Sequence, residues 1–134
     1  WYSATAGHGK YGSSYGSGYV AQGDICPAGW HLPTGGTATA EFGALDVAMG
    51  GTGAYQSTAE ASNRWRSYPN NFVYSGHVNE SSLDYRNQYG RYWSSTAYSW
   101  ANAYGLYFGE SYVSPGTYNG YKHYGRTIRC LVGN

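Results

Sequence analysis

Hydrophobic positions recur with a helical period in one stretch of the chain and with a strand period in several others. Phe42, Leu45 and Met49 fall at i, i+3 and i+7, which gathers them on one face of a helix predicted over residues 39–49. Thr39 is a capping residue type, Glu41 sits in the first turn near the positive dipole end, and Gly50-Gly51 stop the helix. Gly43 weakens the helix interior by ~1 kcal/mol relative to Ala, so packing has to hold it. A second, weaker helix is expected around residues 57–63. From residue 64 onward short runs of strand formers at 71–74, 92–95, 104–108 and 126–132 alternate with Gly, Asn, Ser and Pro. In the last of these, a period of 2 puts Ile128, Cys130 and Val132 on one face and Thr127 and Arg129 on the other. Residues 1–23 have no sustained period and read as an irregular Gly/Ser/Tyr-rich stretch after a short strand at 1–3. The class this predicts is α+β, with an early helix and a strand-rich, loop-rich second half.

Composition narrows the function classes. The 134 residues fit one domain, 1–134. Aromatic residues make up 19% of the chain and charged residues only 11%, against a typical quarter. That excludes a disordered, highly charged tail. Eight Lys and Arg against seven Asp and Glu leave no basic excess for nucleic acid. No apolar run is long enough to span a membrane. The chain begins at Trp1 rather than Met, which reads as the C-terminal part of a longer polypeptide. The only two cysteines, Cys26 and Cys130, in a Lys-poor, aromatic-rich chain suggest an oxidising compartment and one disulfide, the other reading being two buried free thiols.

Catalytic and cofactor signals are weak. Gly7, Gly9 and Gly12 spell a dinucleotide fingerprint and Gly12-Ser13-Ser14-Tyr15-Gly16 a nucleophile elbow, but neither has the strand and helix context that such a motif needs. His8, His31, His77 and His123 show no zinc-ligand spacing, and the scattered acidic residues form no calcium loop. No cofactor, no metal and no enzymatic activity are expected.

One stretch is specific: Gly23-Asp24-Ile25-Cys26-Pro27-Ala28-Gly29-Trp30-His31-Leu32-Pro33-Thr34, followed by a helix. Together with Tyr92-Trp93-Ser94-Ser95-Thr96-Ala97 and Gly125-Arg126-Thr127-Ile128-Arg129-Cys130, it resembles the Fibrobacter succinogenes major paralogous domain over nearly the whole chain. That family is similar to the formylglycine-generating-enzyme branch of the C-type-lectin-like fold, where a Leu-Pro-Thr turn before a helix and a Gly-x-x-x-Arg ending strand recur. The same branch holds the variable proteins of diversity-generating retroelements, phage tropism determinants among them. The resemblance implies a C-type-lectin-like domain with one or two helices, small antiparallel sheets and long loops. Cys26 and Cys130 fall where the paralogous domain uses cysteines structurally, so the catalytic pair of formylglycine-generating enzymes has no counterpart. The sugar-binding tripeptides of calcium-dependent lectins are absent too. Trp30, Leu32, Phe42, Leu45, Trp93 and Ile128 are the expected core.

Function is signalled by residues 98–124. Tyr, Gly, Ser, Asn and His make up 17 of these 27 residues, and only Glu110 and Lys122 are charged. That is the composition of an antibody paratope, where Tyr supplies amphipathic contact area and Ser, Asn and Gly supply adaptable hydrogen bonds. It also resembles the output of retroelement diversification, in which AAC codons become Tyr, Ser, Asn, Asp, His or Gly. The candidate ligand-binding residues are Tyr98, Trp100, Asn102, Tyr104, Tyr107, Ser111, Tyr112, Tyr118, Asn119, Tyr121, His123 and Tyr124. They interleave with apparent framework at Trp93, Leu106, Phe108, Val113, Pro115, Gly125 and Cys130. Two readings follow. One is an extracellular or surface-displayed bacterial or phage module that recognises a protein or glycan on another cell. The other is an assembly subunit of a surface filament or pilus, where the Tyr-rich face meets a second copy.

Overall fold

The computed structural model describes residues 25–133; the strand expected at residues 1–3 lies outside them. The described elements run β1 (Trp30–His31), α1 (Glu41–Ala48), α2 (Ala59–Arg66), β2 (His77–Asn79), β3 (Ser82–Asp84), β4 (Gly90–Ala97), β5 (Asn102–Phe108), β6 (Val113–Tyr121), β7 (Gly125–Arg126) and β8 (Leu131–Val132). The architecture is α+β, with two helices and three small antiparallel sheets ordered β4-β5-β6, β3-β2-β7 and β1-β8. No described helix is long and apolar enough to cross a membrane.

The early helix forms where its periodicity says, two residues shorter at the start. Thr39 does not cap it. Ala40 is the N-cap, and Thr34 acts from outside the helix: its Oγ1 accepts from the Glu41 N–H at 3.0 Å, while the Glu41 carboxylate accepts from the Thr34 N–H at 2.8 Å. This is the reciprocal logic of a capping box stretched across a turn, and the buried Leu32 and Pro33 fix that turn against the domain. Gly43 has a positive reason to be glycine, since a Cβ there would overlap the backbone of Ala38.

The second helix starts two residues later than expected, where Thr58 caps it by accepting from the Ala61 N–H at 3.1 Å, and runs three residues further, to Arg66. It carries Trp65 into the core beside Phe42, Phe72, Tyr92, Leu106, Phe108 and Val113. Asp46 is buried between the helices and accepts from Trp65 Nε1 at 2.9 Å, Gln56 Nε2 at 2.7 Å and the Gly53 N–H at 2.9 Å. Three donors offset the desolvation of a buried carboxylate, and removing one of them leaves it short of a partner.

Pairing in the central sheet assigns side chains to faces. Gly90, Tyr92, Leu106, Phe108 and Val113 share the face toward the helices, and Arg91, Trp93, Gly105, Tyr107 and Tyr118 share the other. Between Gly105 and Tyr107 the β5–β6 register shifts, because β6 loops out over residues 115–117. Gly116 there adopts φ +85°, where its carbonyl accepts from the Gly36 N–H and a Cβ would meet Phe42.

Two strands expected from the sequence form differently. Residues 71–74 are irregular: Phe72 is buried and its N–H donates to Trp65 O, with Asn71 at φ 49° turning the chain. The run 126–132 breaks into β7 and β8, because the chain changes partners, from β2 at Arg126 to β4 at Thr127 to β1 at Leu131. The shared core face of Ile128, Cys130 and Val132 therefore fails. Ile128 is 38% exposed and Val132 71% exposed. Trp30 also departs from the expected core at 47% exposed, since β1 pairs only with β8, away from the core cluster.

Cys26 and Cys130 are bonded, with an S–S distance of 2.03 Å and Cα atoms 5.9 Å apart. The bond and the β1–β8 ribbon join the segment before α1 to the last strand. Closing this 104-residue separation corresponds to about 4–5 kcal/mol of denatured-state entropy. The bond suggests an oxidising environment.

Candidate binding face

None of the twelve candidate residues is buried. Tyr98, Trp100, Ser111, Tyr118, Tyr121 and His123 are exposed, and Asn102, Tyr104, Tyr107, Tyr112, Asn119 and Tyr124 half-buried. The structure divides them into three groups rather than one patch.

The first group surrounds a concavity of about 400 Å³ beside β5, β6 and β7, walled by Asn102, Tyr118, Asn119, Tyr121 and Tyr124. Asn102 Nδ2 donates to Asn119 Oδ1 at 2.9 Å across the two strands. His123 stacks on Tyr121 with ring centres 5.4 Å apart. The second group is a ladder of rings along the outer face. Tyr118 lies 4.4 Å from Tyr107, Tyr107 5.2 Å from Tyr112, and Tyr112 6.4 Å from Tyr55. Ser111 sits beside Tyr112 at the rim of a separate hollow with Arg66 and Tyr74. Burial pushes the Tyr112 hydroxyl far up, and hydrogen bonding with Tyr107 adds to it, so this ring is part of the packing of the face. The third group lies at the β4–β5 turn: Tyr98 and Tyr104 pack edge to face at 5.3 Å, and Lys122 Nζ donates to the Trp100 carbonyl. Tyr104 presses on Gly36 and is turned away from the concavity.

The framework expectation holds for Trp93, Leu106, Phe108, Val113 and Pro115, all buried. Gly125 is exposed and Cys130 half-buried, because both lie on the partner-switching segment.

The concavity also contains residues that the sequence did not single out. His77 from β2, Arg91 from β4 and Arg126 from β7 converge on it, with Asp84 and Tyr85 at its edge. Aromatic rings hold both guanidiniums. Arg91 lies 4.7 Å from the Tyr107 ring centre and 5.0 Å from that of Tyr85, while Arg126 covers Trp93 at 4.2 Å. Gly120 makes room, since a Cβ there would overlap the Arg126 guanidinium. Burial lowers the Arg126 pKa, and repulsion from Arg91 lowers it further, down to about 10, so it stays cationic at neutral pH. Burial likewise pushes the His77 pKa down, as do Arg91 and Arg126, against the opposing pull of Asp84, whose carboxylate lies 3.9 Å from Nε2. His77 stacks flat on Tyr124 at 4.9 Å.

Each of these three comes from a different strand, and a single Arg or His in a strand has no spacing signature. The one available signal was Arg91, a charge on the same face as Trp93 in an otherwise core-like run. Among the described residues no three His, Cys, Asp or Glu side chains gather to hold a metal ion. Compared with known proteins, the chain matches no family model, no curated protein and no solved structure.

Proposed function

We propose that this chain is a non-enzymatic recognition domain, extracellular or displayed on a bacterial or phage surface, whose outer sheet face binds a protein or glycan. The observation that carries this reading is the exposure of the candidate aromatic set. In a chain with so few charges, rings that serve packing alone would be closed over, yet no Tyr or Trp of that set is buried. The paratope-like mixture gives such a face large contact area with adaptable polar groups. A C-type-lectin-like framework, similar to the Fibrobacter paralogous domain, is supported by the disulfide and ribbon that join the two ends of the described chain. Diversification of the Tyr and Asn positions by a retroelement is part of the same proposal. Sequencing the region encoding residues 90–130 across sibling strains tests it: changes confined to the codons of the exposed and half-buried candidate positions support it, and invariance removes it.

Binding itself is tested by probing glycan and protein arrays with the purified chain. Retention that disappears in Tyr118→Ser and Tyr121→Ser variants supports the reading. Retention indifferent to both changes contradicts it.

The assembly alternative, in which the Tyr-rich face meets a second copy, has a further contact edge in β3, which among the described residues pairs only with β2 and leaves Leu83 exposed beside Val78. Such an edge is a template for a second copy. Sedimentation of the wild type and of Leu83→Lys decides between them, because a filament subunit self-associates through that edge and a recognition module stays monomeric.

A further inference from the structure

The concavity on the outer face holds more uncompensated positive charge than a packing role explains. Arg91 is 8% exposed, Arg126 9% and His77 5%, so all three are more than nine-tenths buried. Yet Arg126 Nε and Nη1, Arg91 Nε and His77 Nδ1 have no hydrogen-bond partner. The guanidinium of Arg91 has one, the Tyr107 hydroxyl at 3.5 Å, and that of Arg126 makes no hydrogen bond. Buried charged donors are ordinarily paired, and leaving them unpaired costs several kcal/mol as an order of magnitude. Asp84 supplies one carboxylate, and it faces His77 rather than either arginine. One further negative charge is called for.

The remaining walls say what should carry that charge. They are Tyr85, Tyr118, Tyr121 and Tyr124 with the amides of Asn79, Asn102 and Asn119, and no aliphatic side chain lines the concavity. Asn102 and Asn119 border the concavity and bond to each other through one donor and one acceptor, which leaves Asn102 Oδ1 and the Asn119 amide hydrogens uncommitted by that bond. Amide pairs match vicinal hydroxyls, and aromatic rings match the C–H face of a pyranose. An apolar peptide anchor finds no counterpart. The volume of about 400 Å³ lies within the range of small-ligand sites, which runs from roughly 300 to 1,000 Å³.

We propose that the concavity bounded by His77, Arg91, Tyr118, Asn119, Tyr121 and Arg126 is a subsite for an anionic sugar. Its carboxylate or sulfate is held by the two arginines and its ring by the tyrosines and asparagines. The proposal rests on the reading of this face as a binding surface and names the ligand class. No calcium ion is needed, since the protein's own guanidiniums meet the anion. Arg126 remains charged throughout the physiological range, so the site is permanently cationic.

The test is an NMR titration of the whole chain with D-glucuronate, glucose 6-sulfate, glucose and a glutamate-rich peptide. The proposal expects saturable shifts at Gly120, His77 and Asn119 with either sugar acid, weaker by about tenfold or more with glucose, since a charge-assisted hydrogen bond contributes roughly 1.5–3 kcal/mol. The two acids distinguish a carboxylated from a sulfated source. Arg126→Gln abolishes the preference for the acids over glucose. Asn119→Ala, a half-buried change that spares both arginines, weakens all three sugars while the fold persists. Glucuronate also raises the pH at which the His77 ring titrates, because a bound anion offsets Arg91 and Arg126. Equal binding of glucose and glucuronate overturns the proposal, as does tighter binding of the peptide. If array ligands are retained through Tyr118 and Tyr121 while neither acid shifts these residues, the anionic subsite is wrong and the binding face stands. If nothing is retained at all, both fall.

Discussion

The inward and outward faces of the β4–β5–β6 sheet are made from the same kinds of residue and put them to opposite uses. Inward, Tyr92 and Phe108 meet Phe42, Trp65 and Phe72 from the helices and the 67–76 connection, and the rings close on one another. Outward, Tyr107 and Tyr118 meet Arg91 and Arg126, and beyond them the concavity. What separates the faces is the partner brought to each ring rather than the aromatic content itself. The inner face receives apolar side chains from two helices. The outer face receives two guanidiniums, which hold the rings in place while keeping the layer polar. Trp93 shows the boundary: it points outward, yet Arg126 covers it and it is 2% exposed. An aromatic residue is committed to stability when a neighbour closes over it, as Arg126 does over Trp93, and is left for binding where none does.

Truncation of the inner face should have the largest effect. Phe108→Ala removes a fully buried ring and should cost about 3–5 kcal/mol, read as a lowered denaturation midpoint. A smaller loss there would mean that the helices close the core without the sheet. Next comes Tyr112→Ser. Tyr112 is half-buried among Tyr55, Tyr89 and Tyr107, so the change should cost about 1.5–3 kcal/mol in the same measurement, three lost ring pairs at the lower half of roughly 0.5–1.5 kcal/mol each. The sequence alone placed Tyr112 with the freely replaceable surface tyrosines, and the structure moves it toward the core.

Acid should weaken the domain in two stages, one from His77 beside the outer face and one from Glu41 at the start of α1. His77 on the outer face binds protons less readily folded than unfolded, so the unfolded chain takes them up first as the pH falls. Its contribution is intact above about 6.5 and is lost progressively below that. Burial alone would raise the Glu41 carboxyl, but hydrogen bonds from the His31 ring at 2.5 Å and the Thr34 N–H outweigh it and lower the pKa. Its contribution is present above about 4.5 and is lost below. Thermal unfolding across pH 3–8 should show both declines, and His77→Gln should remove the first alone. A flat profile between pH 7 and 5 would mean that His77 is not held neutral by its arginine neighbours.

Much of the frame was legible because it is local. Phe42, Leu45 and Met49 announce α1, and the strand runs around Tyr92 and Leu106 announce the central sheet. The second helix was underread because Trp65 is its only large apolar residue, and its stability comes from Thr58 and the core it enters. Residues 126–132 alternate well enough to suggest one strand, but periodicity carries no information about a change of partner at each end. The aromatic half of the candidate face was legible from composition. The cationic half was not, since His77, Arg91 and Arg126 are 49 residues apart at the extremes and only the crossing of three strands unites them.

The division between closed-over and exposed rings is tested most directly by denaturing the triple variant Tyr98→Ser, Trp100→Ser, Tyr121→Ser against the wild type. All three rings are exposed, at 44%, 66% and 50%. The expected result is a total loss of about 1.5 kcal/mol or less, each surface change lying within roughly 0.5 kcal/mol, although three aromatic residues have been removed. A loss approaching that of Phe108→Ala would contradict the account, because the exposed rings would then be holding the fold together rather than standing free to bind.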